Sequence, residues 1–343
     1  MAASTTAGPD SRREDFARLA EPLRPELLAH CYRMLGSVHD AEDQVQETLI
    51  RAWRSYGDFE GRASLRTWLY RIATNACLRA LETRRRRPLP SGLGAPGQDP
   101  GAPPDPARPE VPWLQPIPDA LVLGGPAGPA DPAAVVAARA SLRLALIAAL
   151  QYLPPRQRAV LILRDVLGWR AAEVADLLGT SAAAVNSTLQ RARARLRLVS
   201  PAEDSVREPS DPAGRELLGR YASAFENADV AALTRLLRED AVLEMPPWPG
   251  WFTGRKRIGQ FLAARVLLRP GDFRLVPTAA NGQPAVAAYR RDHDGVHRAH
   301  AIQVLAISGS AITRVVSFND GGLLSAFGLP EVLAPGEIPP PAP

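Results

Sequence analysis

Apolar residues recur at the spacing of an α-helix through the first quarter of the chain. The pattern predicts three helices, the second with Asp40 as its N-cap and the third with Ser64, because such residues accept hydrogen bonds from a first helical turn. The predicted buried stripe of the second helix comprises Val45, Leu49, Ala52, Trp53 and Tyr56. Residues 14–87 are therefore predicted to form an all-α domain.

A second helical block is predicted over residues 133–199, and its later part has the pattern of a helix-turn-helix. A short helix precedes Gly179, and Ser181 is placed to cap a second helix. Between residues 141 and 200, nine arginines stand against three acidic residues, a net charge of +6 against +5 for the whole chain. This concentration favours contact with DNA phosphates, although an arginine-rich surface for another protein remains an alternative.

Proline and glycine crowd residues 88–132, which predicts a linker without a packed helix or sheet. One apolar island, residues 111–118, interrupts the linker with Trp113, Leu114 and Ile117. Such a cluster is too apolar for a purely solvated tether, so it is a candidate docking strip. A stray apolar cluster in a disordered tether is the alternative.

Residues 213–330 mix helix and strand patterns. Two helical stretches come first, then a short strand from Ala241, a further helix, and four longer strand patterns between residues 273 and 319. The turns Asp294-Gly295 and 308–310 indicate hairpins. We expect an α+β domain with a curved antiparallel sheet and helices on one face. A short polar joint, residues 201–212, connects it to the second block, and a Pro-rich tail follows.

Composition narrows the class of protein. The two cysteines, Cys31 and Cys77, lie in apolar helical patterns, which argues against a disulfide framework or a metal site. The first residues lack the apolar core of a signal peptide, and the most apolar stretch contains Arg139 and Arg143. We expect a cytoplasmic protein that needs no membrane, no metal and no cofactor.

Two helix faces carry side chains that suit binding. Acidic and amide groups of the second helix lie off its buried stripe, where a solvated face is the simple interpretation. Arginines, an aromatic residue and small polar residues of the third helix lie off its core stripe, a mixture that suits nucleic acid as well as solvent. That second face comprises Arg66, Tyr70, Arg71, Thr74, Asn75 and Arg79.

Three strings of the first block, CYRMLG from residue 31, DAEDQVQE from residue 40 and FEGRASLRTWLYRIA from residue 59, resemble region 2 of the extracytoplasmic-function sigma factors. The resemblance implies that the acidic helix binds the β′ clamp helices of core RNA polymerase, and that the loop and face after it read the −10 element by capturing an unstacked base. The implied polymerase contacts are Asp40, Glu42, Asp43, Gln46 and Glu47. The implied −10 contacts are Phe59, Arg62, Ser64, Arg71, Thr74 and Asn75.

The string LPPRQR from residue 153 and the helix-turn-helix resemble region 4 of the same family. This resemblance implies recognition of the −35 element and contact with the polymerase β flap, the second helix entering the major groove of promoter DNA. Side chains with donors and acceptors would read bases, and arginines would contact phosphates. The implied contacts are Ser181, Asn186, Ser187, Gln190, Arg191 and Arg193.

The last segment, with the string MPPWPGWFTG from residue 245, resembles the SnoaL-like cone fold, and WLQP from residue 113 is similar to a short linker motif of sigma factors that carry this domain. The expected fold is thus two all-α domains, the second a helix-turn-helix, followed by an α+β cone-like domain. The expected function is that of a non-catalytic sigma factor modulated by its own last domain.

Two other functions remain as alternatives. If the last domain bound a ligand, the chain would be an enzyme or a ligand sensor with a sigma-like adaptor. The sequence does not identify such a ligand. Asp240, His297, His300 and Asp320 are candidate acid–base groups there, but no spacing joins them into a site. A plain DNA-binding repressor is less suited, because a repressor has no use for the acidic helix.

Overall fold

The computed structural model describes residues 9–61, 63–83, 86–123, 132–199 and 211–333. These residues form two compact units. The first unit contains the described residues up to 83 together with 121–123, 132–138 and 150–199, and the second contains 86–120, 139–149 and 211–333. The predicted joint at 201–212 lies almost wholly outside the described residues, as does the Pro-rich tail. None of the described helices is both long enough and apolar enough to span a membrane.

The part of the chain up to residue 199 is helical apart from its linker, as the periodicity predicts. The helices are α1 Pro9–Ala20, α2 Arg24–Leu35, α3 Val38–Ser55, α4 Leu65–Glu82, α5 Asp119–Leu123, α6 Pro132–Ala140, α7 Leu144–Leu150, α8 Pro155–Leu161, α9 Ala171–Leu178 and α10 Ala182–Val199. A π-helical turn, Ile162–Val166, continues α8.

Side-chain capping sets where α3 and α4 begin. Ser37 Oγ accepts a hydrogen bond from the Asp40 N–H at 3.2 Å, so α3 starts one turn earlier than expected and Asp40 is not its N-cap. The predicted cap of α4 is confirmed, because Ser64 Oγ accepts from the Thr67 N–H at 3.1 Å. Gly36 ends α2 with a φ of 71°, a left-handed conformation that favours glycine.

The core of the first unit differs from the predicted stripes at two aromatic residues. Trp53 is 41% exposed, although the spacing assigned it to the buried stripe of α3. Tyr70 is fully buried, although it falls off the predicted stripe of α4. Its ring packs edge-on against His30 at 5.1 Å and against Trp169 at 5.7 Å. Periodicity within one helix cannot reveal such partners, because they come from distant segments.

The second unit is built on a sheet with strand order β2-β1-β6-β5-β4-β3, and β7 pairs with β5. Its strands are β1 Leu237–Glu244, β2 Trp251–Thr253, β3 Phe273–Ala280, β4 Gln283–Arg291, β5 His297–Ser308, β6 Ala311–Phe318 and β7 Val332–Leu333. Its further helices are α11 Pro212–Glu226, α12 Val230–Leu236, α13 Arg255–Phe261, which a π-helical turn continues, and α14 Leu323–Ala326.

The expectation of a wholly antiparallel sheet is wrong at one pairing. β1 runs parallel to β6, while the other pairings are antiparallel, so the sheet is mixed. Parallel neighbours need a long crossover, and the chain between β1 and β6 supplies it with α13 and four strands. The apolar core lies between the sheet and α11, α12 and α13.

Candidate functional site

The outer face of α3 combines acidic and apolar side chains. Asp43 and Gln46 are exposed, and Glu47 forms an ion pair with Arg51 one turn later. On the same helix, Ile50 is 37% exposed and Trp53 is 41% exposed. Since residues three and four apart are neighbours on a helix surface, these apolar groups extend the face that begins at Asp43. The remaining two predicted contacts, Asp40 and Glu42, are half-buried.

Sequence reasoning missed Ile50 and Trp53 as parts of this face. An exposed tryptophan beside acidic residues has the composition of a protein-binding surface rather than of a solvated helix face. The signal was present in the spacing, because Trp53 follows Gln46 by seven residues and therefore lies on the Gln46 side of the helix.

The loop before α4 holds an aromatic cluster. Phe59 stacks on Tyr56 with ring centroids 6.2 Å apart and packs against Trp68 at 4.9 Å. Ser64 is exposed, although its hydroxyl is engaged in capping α4. Arg62, another predicted −10 contact, lies outside the described residues.

On α4, the three predicted −10 contacts differ in accessibility. Arg71 is exposed and forms an ion pair with Asp176 of α9. Asn75 is half-buried. Thr74 is fully buried, and its Oγ1 lies 2.9 Å from His30 Nε2 while donating to the Tyr70 carbonyl at 2.7 Å. In this conformation the Thr74 hydroxyl serves the packing of α2 on α4 rather than facing solvent.

The helix-turn-helix consists of α9, a turn through Gly179 with a φ of 61°, and α10. Ser181 Oγ accepts from the Ala184 N–H at 3.2 Å and caps α10. The predicted base and phosphate contacts on α10 are exposed, namely Asn186, Ser187, Gln190, Arg191 and Arg193. Val185, Leu189 and Ala192 form the buried stripe beneath them.

Arg193 is the exception among the predicted contacts of α10. Its guanidinium donates two hydrogen bonds to the Asp165 carboxylate, at 2.9 and 2.6 Å, and so ties α10 to the turn after α8. Within the described part of the chain, Arg191 donates to Thr188 Oγ1 of its own helix, at 3.2 Å. The predicted phosphate contact is therefore better supported for Arg191 than for Arg193.

A buried arginine joins the two helical blocks inside the first unit. Arg158 of α8 is 3% exposed and donates to the Met34 carbonyl of α2. It also donates to Gln151 Oε1 at 2.8 Å and to the Leu153 carbonyl at 3.2 Å. Burial lowers the pKa of Arg158 to about 10, which leaves the guanidinium charged at neutral pH. Several of the oxygens that accept from this buried cation are backbone carbonyls.

In the second unit, the β3–β4 turn holds two separate stretches of chain. Asn281 has a φ of 58° and is fully buried. Its Oδ1 accepts from the Ile117 N–H at 3.1 Å, its N–H donates to the Ile117 carbonyl at 3.0 Å, and its Nδ2 donates to the Leu142 carbonyl at 2.8 Å. Next to it, Gln283 Oε1 accepts from the Leu144 N–H at 2.9 Å. We call the turn and these partners the Asn281 latch.

The linker is ordered against the sheet along most of residues 88–118. Trp113 is 9% exposed, Leu114 and Ile117 are fully buried, and the docking of the apolar island is thus confirmed. Further backbone groups of the linker bond to the sheet domain. They include Ser91 N to Glu244 Oε1 at 2.8 Å, Gly97 N to the Trp251 carbonyl at 2.7 Å, and Arg108 N to the Pro247 carbonyl at 2.9 Å.

Asp119 completes the latch on the linker side. Its Oδ1 accepts from the Gly282 N–H at 2.7 Å. Burial raises the pKa of Asp119 to about 6, although the Gly282 N–H and the nearby Arg139 both favour the charged form. Gly282 has a φ of 66°, and a Cβ at this position would lie 2.9 Å from the Arg139 carbonyl oxygen. The latch therefore depends on glycine at this position and responds to the charge of Asp119.

The candidate acid–base groups of the last domain do not come together. Asp240 is exposed and pairs with Arg238, Asp320 is exposed, and His297 Nε2 lies 3.0 Å from the Gly271 carbonyl. His300 alone among these four lines a cavity of about 230 Å³ within the second unit. Among the described residues, no group of three His, Cys, Asp or Glu side chains could hold a metal ion.

Comparison with known families assigns each block of the chain to a domain type. Models match Sigma-70 region 2 over residues 19–87, Sigma-70 region 4 over residues 143–196, and the SnoaL-like domain over residues 218–323. Together with the helix-turn-helix and the mixed sheet, these matches define a sigma-70-type transcription initiation factor that carries a SnoaL-like domain. The predicted fold class is confirmed.

The similar proteins narrow the class further. The chain is 53% identical to the ECF RNA polymerase sigma factor SigG of Mycobacterium tuberculosis over 326 residues, which cover 94% of this chain and 86% of SigG. It is 33% identical to SigJ of the same organism over 221 residues, 64% of this chain and 61% of SigJ. The crystal structure of M. tuberculosis SigJ shares the fold, with a TM-score of 0.58, 24% identity and coverage of 93% of this chain and 99% of that chain. The chain belongs to the ECF RNA polymerase sigma factors.

We predict that linker docking depends on pH through Asp119. Because the docked state raises the pKa of this carboxyl above its ordinary value, docking is favoured below the ordinary carboxyl range and weakens as pH rises through about 6. Native-state hydrogen exchange at the Ile117 and Gly282 amides, corrected for intrinsic rates, should show opening becoming easier between pH 4 and pH 6. Asp119→Asn keeps the oxygen acceptor without the charge and should remove that trend.

Asp99→Asn is the matched control, since Asp99 is an exposed linker acid whose Oδ1 accepts from the Gly101 N–H at 2.8 Å. This variant should keep the pH trend of the wild type. An identical trend in the Asp119→Asn variant would contradict the assignment.

Proposed function

We propose that this ECF sigma factor binds core RNA polymerase through the outer face of α3, reads promoter DNA with α4 and α10, and is regulated by the docking of its linker on its own SnoaL-like domain. The Asn281 latch is the observation that carries the regulatory part. It uses side chains of the SnoaL-like domain to hold backbone groups of residues 117 and 142–144. Residue 117 lies between the two DNA-reading blocks of the chain, and residues 142–144 lie where the region 4 match begins.

The α3 face has the properties of a polymerase contact. Charged groups at Asp43 and Glu47 would steer the approach to a basic partner surface, and Trp53 would supply apolar contact area. Tryptophan is enriched among residues that dominate binding energy. The β′ clamp helices are the partner that the resemblance to region 2 implies, and the β flap is the one implied for region 4.

The arrangement of the first unit supports an inactive resting state. The −35 and −10 elements are centred about 25 base pairs apart, which is about 85 Å of DNA at 3.4 Å per base pair. Arg158 instead holds α8 against α2 by a direct hydrogen bond to Met34, and Arg71 pairs with Asp176 of the helix-turn-helix. Readers of two elements so far apart cannot remain in contact with each other. Promoter binding therefore requires both contacts to break.

The linker must change its course when the two blocks separate. Every hydrogen bond that ties residues 88–119 to the sheet domain then opposes separation, because those bonds exist in one of the two states. A condition or partner that weakens the Asn281 latch would shift the population toward the separated, promoter-competent state. The last domain in this proposal serves regulation and not catalysis, since three of its four candidate acid–base groups lie outside the cavity.

The two alternatives are weakened by different observations. A repressor does not require the acidic and apolar face of α3. This chain belongs to the ECF sigma factors and not to a family of repressors. An enzyme with a sigma-like adaptor was expected to use the four predicted acid–base groups, and of these only His300 lines the cavity. A factor that acts on bacterial core polymerase works in the cytoplasm, and we assign the protein to that compartment.

We predict that Asp43→Arg and Trp53→Ser each weaken the binding of this protein to core polymerase, the second by at least about tenfold, because an anchor tryptophan typically contributes more than 1.4 kcal/mol. Equilibrium binding to purified core polymerase measures the effect, with circular dichroism to confirm helix content. Glu216→Arg makes the same change of charge at an exposed position of α11, and this variant should bind like the wild type. Wild-type affinity in both α3 variants would reject this face as the contact.

We predict that Gln190→Ala reduces discrimination between matched and mismatched −35 elements, because its amide is exposed where α10 would meet base edges. Arg191→Ala should weaken binding to both DNAs alike and lower the salt slope of holoenzyme binding by about one unit. Arg193→Ala should change the salt slope less, since Asp165 already engages its guanidinium. Equal effects of Gln190→Ala and Arg191→Ala on the two DNAs would show that the assignment of roles is wrong.

We predict that Gly282→Ala increases promoter-specific transcription by reconstituted holoenzyme. The added Cβ lies 2.9 Å from the Arg139 carbonyl oxygen and would loosen the latch. Gly309→Ala is the matched control, because Gly309 has a similar φ of 60° in another hairpin turn and open space around it. Backbone strain is thus common to both variants, whereas the clash with the Arg139 carbonyl oxygen occurs in Gly282→Ala alone. Equal transcription from the two variants would contradict regulation by the latch.

A further inference from the structure

Exposed basic side chains of three helices gather around α12 in the SnoaL-like domain. This helix packs against both α11 and α13, and a groove runs along each side of it. Arg220 and Arg235 line the groove between α11 and α12. The groove between α12 and α13 is lined by Arg235, Arg255 and Lys256. Because Arg235 belongs to both grooves, the four cations form one continuous surface, which we call the α12 basic surface.

The α12 basic surface carries almost no negative charge. Among the described residues that line the two grooves, Asp229 alone is acidic, and its Oδ1 accepts from the Ala232 N–H at 2.8 Å as the N-cap of α12. In the part of the chain that the structure describes, none of the four cations has a carboxylate within ion-pair distance. Four positive charges thus face solvent beside one carboxylate that is already engaged.

Three other exposed arginines of the same domain have carboxylate partners. Charges of both signs in alternation are typical of a solvated protein surface, because they limit repulsion. The pairs are Arg238 with Asp240, Arg291 with Asp272, and Arg298 with both Asp292 and Asp294. The α12 basic surface departs from this arrangement, so positive charge is concentrated on the helices of the domain.

Close packing of α13 on α12 brings the like charges together. A Cβ at Gly259 would lie 2.5 Å from Thr234 Cγ2, and Thr234 is held by its hydroxyl, which donates to the Val230 carbonyl at 2.9 Å. Any side chain at Gly259 would therefore push the two helices apart. Arg235 and Arg255 line the groove beside this contact. Like charges held close together repel one another and oppose folding of the domain, and an anionic partner relieves that repulsion.

A short covalent connection keeps the α12 basic surface near the helix that is proposed to read DNA. Residues 200–210 join Val199 at the end of α10 to Asp211, which caps α11. The connection spans at most about 40 Å even when fully extended. This limit holds whether or not the linker is docked on the sheet domain. DNA bound to α10 is therefore the anion that this surface meets at a high effective concentration.

We propose that the α12 basic surface binds the phosphate backbone of promoter DNA upstream of the −35 element, which adds a sequence-independent contact to those of α10. The upstream side is the accessible one, because polymerase and region 2 occupy the DNA downstream. Neighbouring helix axes lie about 9 Å apart, so cations on three helices span about 20 Å, the axial length of about six base pairs. The position on the promoter rests on the proposed reading of the −35 element by α10, whereas the affinity for phosphates rests on the surface itself.

The test compares two duplexes of a promoter that the reconstituted holoenzyme transcribes. One duplex ends at the upstream edge of the −35 element. The other carries about 20 further base pairs, about 70 Å, which exceeds the reach of the connection and the surface together. Equilibrium binding is measured by fluorescence anisotropy over a series of salt concentrations. Contacts that polymerase itself makes with the added DNA are common to all holoenzymes and cancel when variants are compared.

We expect Arg235→Gln combined with Arg255→Gln and Lys256→Gln to weaken binding to the longer duplex by about tenfold and to lower its salt slope by about three units, one per cation. Binding to the shorter duplex should stay as in the wild type. Circular dichroism should show unchanged helix content, since the three positions are exposed. Lys256→Arg keeps the charge and should leave the binding of both duplexes unchanged.

The matched control removes three exposed arginines from β3, β4 and β5 of the same domain, with the same change of net charge. It combines Arg274→Gln, Arg291→Gln and Arg298→Gln, and it should bind both duplexes like the wild type. Unchanged binding of the longer duplex by the α12 triple variant would overturn the proposal. So would an equal loss on both duplexes, which would indicate a contact with polymerase instead. A loss as large in the control would assign the effect to net charge and not to the α12 basic surface.

The outcome is independent of the base contacts proposed for α10. If Gln190→Ala reduces −35 discrimination while the α12 triple variant has no effect, the proposed function stands and the upstream contact fails. If the triple variant loses affinity for the longer duplex alone while Gln190→Ala changes nothing, the upstream contact stands and the role assigned to Gln190 fails.

Discussion

The structure depends on how a linker with almost no secondary structure satisfies its backbone polar groups. Residues 88–118 are nearly devoid of helix and strand, so their N–H and carbonyl groups need partners from elsewhere once they are buried. Asn281 bonds both backbone groups of Ile117, and Glu244 accepts from the Ser91 N–H. Hydrogen bonds to the SnoaL-like domain thus offset the free-energy cost of burying the backbone polar groups of the linker.

The same principle governs the first unit. Arg158 satisfies its buried charge through carbonyl oxygens of α2 and of the turn before α8, so the region 2 and region 4 blocks share one polar network. Loss of these carbonyl partners would leave further buried N–H groups of Arg158 unpaired, which is costly. Two networks of this kind, one in each unit, give the chain discrete alternatives rather than a gradual range of shapes.

Much of the fold followed from local rules. The helical periodicity and the cap at Ser64 located α4, and the turn chemistry of Gly179 and Ser181 located the helix-turn-helix. Features that depend on partners distant in sequence could not be predicted in this way, such as the burial of Tyr70 and Thr74 and the parallel pairing of β1 with β6. The Asn-Gly pair at 281–282, a strong hairpin signal, was available in the sequence and would have located the β3–β4 turn, although not its bonds to the linker.

The proline content of the linker has a consequence of its own. A prolyl nitrogen cannot donate to a β-ladder, so this segment can lie along a sheet domain without becoming a further strand, and its bridge to the sheet occurs at Pro118 opposite Ala280. Proline also restricts the chain before it docks, so little conformational entropy is lost on docking and little is regained on release. The hydrogen bonds to the sheet domain are therefore opposed by a smaller loss of conformational entropy than a linker without prolines would suffer.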